Sequence, residues 1–372
     1  MQKRTVLFDW HRRADARIVS FAGWEMPLYY KLGAIEEHHL VRRSVGLFDI
    51  SHMARFFVSG ANATSFLQRM VSANIEKVAP HGSTYALLCK PDGGVLDDLF
   101  LYRLAPGAVP GVDGAGWLVV ANAANEERDF AWLSEHCSDD VNLENCSRSM
   151  GMIAVQGPKA LRLLDSMTNS VLEDVDRFSS TTITLGGVEL LAGRTGYTGE
   201  DGFELFPAGD NLEQVWVRIL EAAAAQGVEA GPVGLAARDS LRFEPGFALY
   251  GHELSEDVTP VEARLTWACD LEVDFVGRDA IVARRDQGAE KKLCTLVMEE
   301  RGVPREGHTV LSDGREVGTV VSGIYAPTID RYSANAYLLS EFAKRGTVVS
   351  VDIRGKSKQA IVAKRPLYKP AY

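Results

Sequence analysis

Two stretches of the chain put acids where a strand should be apolar. The first, RTGYTGEDGFELF (194–206), spaces three glycines at Gly196, Gly199 and Gly202, sets Tyr197 between the first two, and runs into an alternating segment with Glu204 inside it. Side chains alternate along a strand, so Phe203 and Leu205 share one face while Glu204 and Phe206 share the other. Two readings of Glu204 stand: a solvated acid on a tight glycine hairpin, or a carboxylate paired with a donor-rich ligand. The second stretch, GGVLDDLFLYRL (93–104), holds an acid pair. Asp97 and Asp98 point to opposite faces and cannot serve one site. Asp98, Phe100 and Tyr102 line one side as a carboxylate, a flat ring and a phenol, whereas a turn-capping role for either acid competes with that reading.

Other chemistries lack their residues. IRGKSK (353–358) has Ser350 where a phosphate-cradling loop needs glycine, and strand-like segments flank it, so it reads as a hairpin turn. HELSE (252–256) has no second histidine one helical turn on, and His38-His39 are neighbours that face different directions on a helix, so no metal site is expected. No nucleophile elbow or dinucleotide fingerprint opens a helix.

Size and composition agree with a soluble globular protein of more than one domain. The 372 residues exceed what one core usually serves, and 46% hydrophobic with 24% charged residues is ordinary globular composition. A net charge of −10 argues against nucleic acid as a partner. Five scattered cysteines without a C-x-x-C pair fit a reducing compartment. No signal-peptide core and no membrane-length apolar run is present, so the cytoplasm is expected and a membrane is not.

The elements that must position the acids follow from periodicity. Residues 33–46 read as a helix ended by Gly46, residues 47–60 as one strand, and 61–71 as a short helix burying Phe66, Leu67 and Met70. Strands follow at 83–89, 93–104 and 116–123, with a Pro/Gly loop over 105–116, then a helix over 125–136. Residues 151–167 read as strand, turn and helix. A helix from Asp210 carries a capping box made by Asp210 and Glu213. Beyond about Lys291 short alternating runs predict a small all-β domain, with 283–292 as the boundary. The class is α+β with antiparallel sheets.

Six blocks in order, FAGWEMPLYY (21–30), SVGLFDISHM (44–53), GGVLDDL (93–99), RTGYTGEDGFE (194–204), GLAARDSLRFE (234–244) and LYGHEL (249–254), resemble the aminomethyltransferase, or T-protein, family of the glycine cleavage system. The resemblance implies a three-domain cloverleaf-like arrangement with a C-terminal β-barrel domain around a central folate channel. Domain one would be 1–50 plus 150–282, domain two an insertion over 51–149 that carries the catalytic aspartate, and domain three 283–372. It further implies transfer of an aminomethyl group from the lipoyl arm of a partner H-protein to tetrahydrofolate, giving 5,10-methylenetetrahydrofolate, ammonia and the dihydrolipoyl arm, with no metal.

By the same resemblance Asp98 is the catalytic aspartate. Glu204, Tyr197 and Arg238 stand at folate positions, Tyr85, Tyr102, Asn122 and Met53 line the pocket, and Tyr372 joins them from the C-terminus. A reduced pterin is a flat ring rich in donors, which suits a buried carboxylate flanked by aromatics. Arg238 also has an ordinary reading, a buried salt bridge near a helix start. Relatives of this fold include folate-dependent demethylases of N- or S-methyl donors and non-enzymatic folate-binding proteins that aid iron–sulfur assembly. The latter carry a cysteine where Gly196 stands here.

Overall fold

The computed structural model describes residues 2–108, 114–168 and 170–372. Of the Pro/Gly loop over 105–116, residues 109–113 lie outside the described residues. The chain forms two compact units: Met1–Arg69, Asn74–Ala86 and Leu99–Asp239 make one, and Met70–Ala73, Leu87–Asp98 and Ser240–Tyr372 make the other.

In the first unit a six-stranded sheet runs in the order Ser180–Leu185, Val188–Gly193, Gly202–Phe206, Ile153–Gln156, Val45–Asp49, Ala230–Pro232. All its pairs are antiparallel except Ala230–Pro232 with Val45–Asp49. One face is packed by Leu163 and Leu164 of the Ala160–Asp165 helix and by Leu212, Val215, Trp216 and Ile219 of the Leu212–Ala225 helix. Those side chains meet Phe203 and Leu205 from the Glu204 strand, as the alternation predicts. A five-stranded sheet has the order Ser83–Cys89, Val95–Leu104, Gly116–Ala121, Ala54–Ser59, Asn142–Asn145.

In the second unit six strands close into a barrel, in the order Lys291–Met298, Arg331–Leu339, Arg315–Ala326, Thr309–Ser312, Val348–Ile353, Lys356–Val362. Its interior is small and β-branched, with Val310, Val320, Ala334, Ala336, Val351 and Ala360 buried. IRGKSK is a hairpin turn there: Arg354 and Gly355, both at positive φ, join the last two strands. A second interior network holds this unit together. Glu253 is fully buried and accepts from Arg242 at 2.9 Å and from Asn335 at 2.7 Å, with Ser322 donating as well.

Four expectations change. The helix over 33–46 is Ala34–Arg43, and Gly46 lies inside the Val45–Asp49 strand, where a Cβ would stand 2.4 Å from the Val41 side chain. Gly46 is there for close packing, not to end the helix. The single strand over 47–60 is two strands in different sheets, broken by a turn over 50–53. The capping box is absent: the helix begins at Leu212 after a 3-10 turn (Gly209–Asn211), its N-cap Asn211 makes no side-chain cap, and Glu213 pairs with Arg13 at 2.5 Å. Finally, the expected boundary over 283–292 begins inside a helix, Arg278–Gln287.

The 50–53 turn rests on buried polar groups. Asp49 accepts from Thr5 (2.6 Å), His11 Nε2 (2.9 Å) and the Ser51 backbone N–H (2.9 Å), and the Tyr30 hydroxyl and His11 Nδ1 share a hydrogen bond of 2.8 Å. Burial pushes the Asp49 carboxyl up, but His11, Thr5 and Ser51 override it and hold it down at about 2. A carboxyl depressed in the folded state stabilises the fold fully above its unfolded pKa and loses that contribution as pH falls through the folded one. Between about pH 4 and 2 the wild type should therefore lose about 2 kcal/mol that Asp49→Asn, already weaker at neutral pH, does not lose. Urea unfolding across that range checks this, and parallel acid slopes for the two proteins would refute it.

Candidate active site

The Glu204 carboxylate sits in a row of register partners across the six-stranded sheet: Gly193, Glu204, Ala154, Phe48. Its immediate neighbours are the two small residues, and the space they leave is used. A Cβ at Gly193 would lie 2.4 Å from the Tyr102 ring, so glycine there lets the phenol close onto Glu204. Tyr102 is fully buried, and its hydroxyl donates to Glu204 Oε2 at 2.8 Å. Thr195 donates to the same oxygen at 2.7 Å, and the two hydroxyls stand 2.6 Å apart. Burial first, and then the charge of Glu204, raises the Tyr102 pKa well above 10, so the phenol keeps its proton. Phe206 packs edge-on against Tyr102 with centroids 5.4 Å apart, and Phe100 lies 5.3 Å from it.

Glu204 is 8% exposed, which removes the reading of it as a solvated hairpin acid. The other two acids of that stretch are paired. Glu200 receives Arg42 at 2.8 Å, and Asp201 receives Arg194 through two bonds of 3.1 and 2.7 Å that close the base of the 194–201 loop. Gln156 on the neighbouring strand donates to the Thr195 carbonyl at 3.0 Å and accepts from Thr198 at 2.9 Å. The loop is thus tied at both ends and in its middle, which fixes Thr195 and Tyr197. Both hydrogen bonds to the Glu204 carboxylate fall on Oε2; among the described residues Oε1 receives none.

Arg238 lies in the first turn of the Leu235–Phe243 helix. Its guanidinium is 4.8 Å from the Tyr197 ring centroid and 6.0 Å from that of Phe48. Burial lowers its pKa, while Tyr197 and Glu204 pull it back up, which places Glu204 within its field. Among the described residues the guanidinium makes no ion pair, so the salt-bridge reading of Arg238 does not hold. Stacking on a ring satisfies none of its five donors, and a half-buried cation of that kind wants acceptors from a ligand.

Tyr102, Glu204, Tyr197 and Arg238 therefore come together. Met53 and Asn122, both half-buried, flank the terminal pair Ala54↔Ala121 and so lie at one end of the five-stranded sheet. Tyr85 is half-buried on the edge strand Ser83–Cys89. Asp98 is half-buried in the Val95–Leu104 strand and Tyr372 is exposed, and both belong to the second unit. Sequence reasoning missed Thr195, although it sits in the opening stretch. It also missed Gly193, whose role appears only once the strand register is known.

Residues 7–273 match the GCVT N-terminal domain family, and residues 291–369 the glycine cleavage T-protein C-terminal barrel domain. The chain belongs to the glycine cleavage T-protein family. It is 41% identical over 374 residues to an aminomethyltransferase of Geobacillus sp. (strain WCH70), with both chains covered completely. It is 44% identical to one of Herpetosiphon aurantiacus, covering 100% of this chain and 99% of that one. The crystal structure of the glycine cleavage system aminomethyltransferase T from Bartonella henselae superposes with a TM-score of 0.91 at 31% identity, covering 100% of this chain and 99% of that chain. The protein is accordingly an enzyme, an aminomethyltransferase of the glycine cleavage system, with the α+β fold and closed barrel of that family.

Arg238 without a protein counter-ion makes a prediction that separates function from folding. Arg238→Met should leave the melting temperature unchanged or raise it, and should lower kcat/KM by roughly ten- to a hundredfold, the worth of one or two charge-assisted hydrogen bonds. A melting temperature several degrees lower with kcat/KM intact would make Arg238 a structural residue.

Proposed function

We propose that the Glu204–Arg238 group binds tetrahydrofolate as the acceptor of the transferred carbon, and that the donor is an aminomethyl group on the lipoyl arm of a partner H-protein. The observation that carries this is the donor set. Among the described residues the half-buried guanidinium has no counter-ion and the buried carboxylate's Oε1 takes no hydrogen bond, which suits a ligand that offers acceptors to one and N–H groups to the other. Tyr102 and Phe206 supply apolar ring surface beside that carboxylate.

The reaction balances as follows. Bonds form from the transferred methylene to the two folate nitrogens. The carbon–sulfur bond to the lipoyl arm and the carbon–nitrogen bond to the amine break, the protons lost by the two folate nitrogens pass to the departing sulfur and amine, and ammonia and the dihydrolipoyl arm leave. Tetrahydrofolate is itself the nucleophile, so the enzyme need supply only positioning and electrostatics. Glu204 and Arg238 hold the ring system. The family resemblance assigns Asp98 to orienting the reacting nitrogens and Tyr85, Asn122, Met53 and Tyr372 to contacts with the folate. The five cysteines are all unpaired, which fits the reducing cytoplasm as the place of action.

The test is ammonia release from aminomethyl-loaded H-protein with and without tetrahydrofolate. Release at full rate only when both are present is expected, and activity on a free methylated amine or sulfonium instead would contradict the reading. Asp98→Asn should keep tetrahydrofolate affinity within about threefold while kcat falls by two orders of magnitude or more. Near-normal turnover in that variant would remove Asp98 from the mechanism.

A further inference from the structure

The helix that carries Arg238 starts where two stretches of backbone touch. Gly234 precedes the Leu235–Phe243 helix, and its carbonyl accepts the Arg238 N–H at 3.0 Å. A Cβ at Gly234 would lie 2.4 Å from the Leu28 carbonyl oxygen and 2.7 Å from the Tyr29 nitrogen. The helix start is therefore seated directly on the end of the Trp24–Tyr29 strand. Backbones that close leave no room for water, so their N–H groups need acceptors from the protein.

Glu37 supplies two of these acceptors. It lies on the Ala34–Arg43 helix and is fully buried. Its Oε2 accepts from the Gly234 N–H at 2.8 Å, and its Oε1 accepts from the Tyr30 N–H. A carboxylate offers two acceptor oxygens and no donor, whereas an amide would turn an N–H toward one of the two donors. Tyr30 is anchored in turn, since its hydroxyl shares a 2.8 Å hydrogen bond with His11 Nδ1. Burial raises the Glu37 carboxyl pKa, and the N–H groups of Gly234 and Tyr30 oppose that rise. The clip thus runs from a fixed strand end to the residue whose carbonyl opens the helix. One turn further on stands the guanidinium that lies 4.8 Å from the Tyr197 ring. All of these residues belong to the first unit.

We propose that Glu37 is a positioning residue for substrate binding: by holding Gly234 against the strand end it sets where Arg238 points. This rests on the folate reading above and adds a residue that the sequence resemblance does not assign. Misplacing a charge that contacts ligand weakens binding even when the fold survives, because its hydrogen bonds depend on geometry.

A double-mutant cycle tests the proposal. Glu37→Gln keeps the shape but sets an amide against one of the N–H groups, so it should melt lower than wild type. Well below that melting temperature it should bind tetrahydrofolate about tenfold more weakly by calorimetry, with the KM for folate rising more than kcat falls. Introduced into Arg238→Met, the same substitution should change affinity by less than about twofold, because the group it positions is gone. The Arg238 Nε–H resonance, assigned by its disappearance in Arg238→Met, should shift in Glu37→Gln without any ligand. Glu37→Asp keeps the charge but is too short to reach both donors, and it serves the same cycle where Glu37→Gln does not fold. A lower melting temperature with unchanged affinity would make Glu37 a purely structural residue. An undiminished loss of affinity on top of Arg238→Met would mean that it acts by another route. Either result overturns the proposal. Arg238→Met binding tetrahydrofolate as tightly as wild type would instead sink the parent reading, and this one with it.

Discussion

The first unit is organised around the burial of one carboxylate. Glu204 is taken out of water on a strand whose other face is hydrophobic core, and such burial is tolerable only if donors replace the lost hydration. Tyr102 and Thr195 are those donors, and they come from different directions: one from the five-stranded sheet, the other from the loop that precedes the Glu204 strand. Each needs its own support. Gly193 opens the space for the Tyr102 ring, and Gln156 with the Arg194–Asp201 clamp fixes the Thr195 loop. Both donors fall on one oxygen, so the carboxylate is stabilised while half of its accepting capacity is kept for something else.

The cation of the site follows the opposite logic. Arg242 pairs with Glu253 and Arg42 with Glu200, while Arg55 donates to four carbonyls and keeps its Nε without a partner among the described residues. Arg238 has an aromatic ring beneath it and, among the described residues, no ion pair. This want of an ion pair is what the proposed ligand-binding role of Arg238 rests on. A residue left short of partners in a well-satisfied interior is a sign of function because stability alone would not maintain it.

Much of this was readable in the amino-acid sequence because it is local. Alternation along 202–206 separates Phe203 and Leu205 from Glu204 and Phe206, and the short runs beyond Lys291 imply a small all-β domain, in which the Thr309–Ser312 barrel strand went unread. What could not be read depends on contacts between distant segments. Gly46 looks like a helix stop until Val41 is seen against it, and Asp210 looks like a cap until the 3-10 turn displaces the helix start to Leu212. The break at 50–53 is invisible because its cause lies in Thr5, His11 and Met152, far away in the chain. Arg238 is legible as a motif residue, but its want of a counter-ion is a property of the folded molecule alone.

The central claim is that Glu204 and Arg238 were left partly unsatisfied for a single reduced pteridine. A crystal structure of the enzyme with tetrahydrofolate bound tests it most directly. The account predicts ring N–H groups within hydrogen-bonding distance of Glu204 Oε1 and an acceptor of the same molecule on the Arg238 guanidinium. Tetrahydrofolate lodged elsewhere, with both side chains unchanged and untouched, would contradict it.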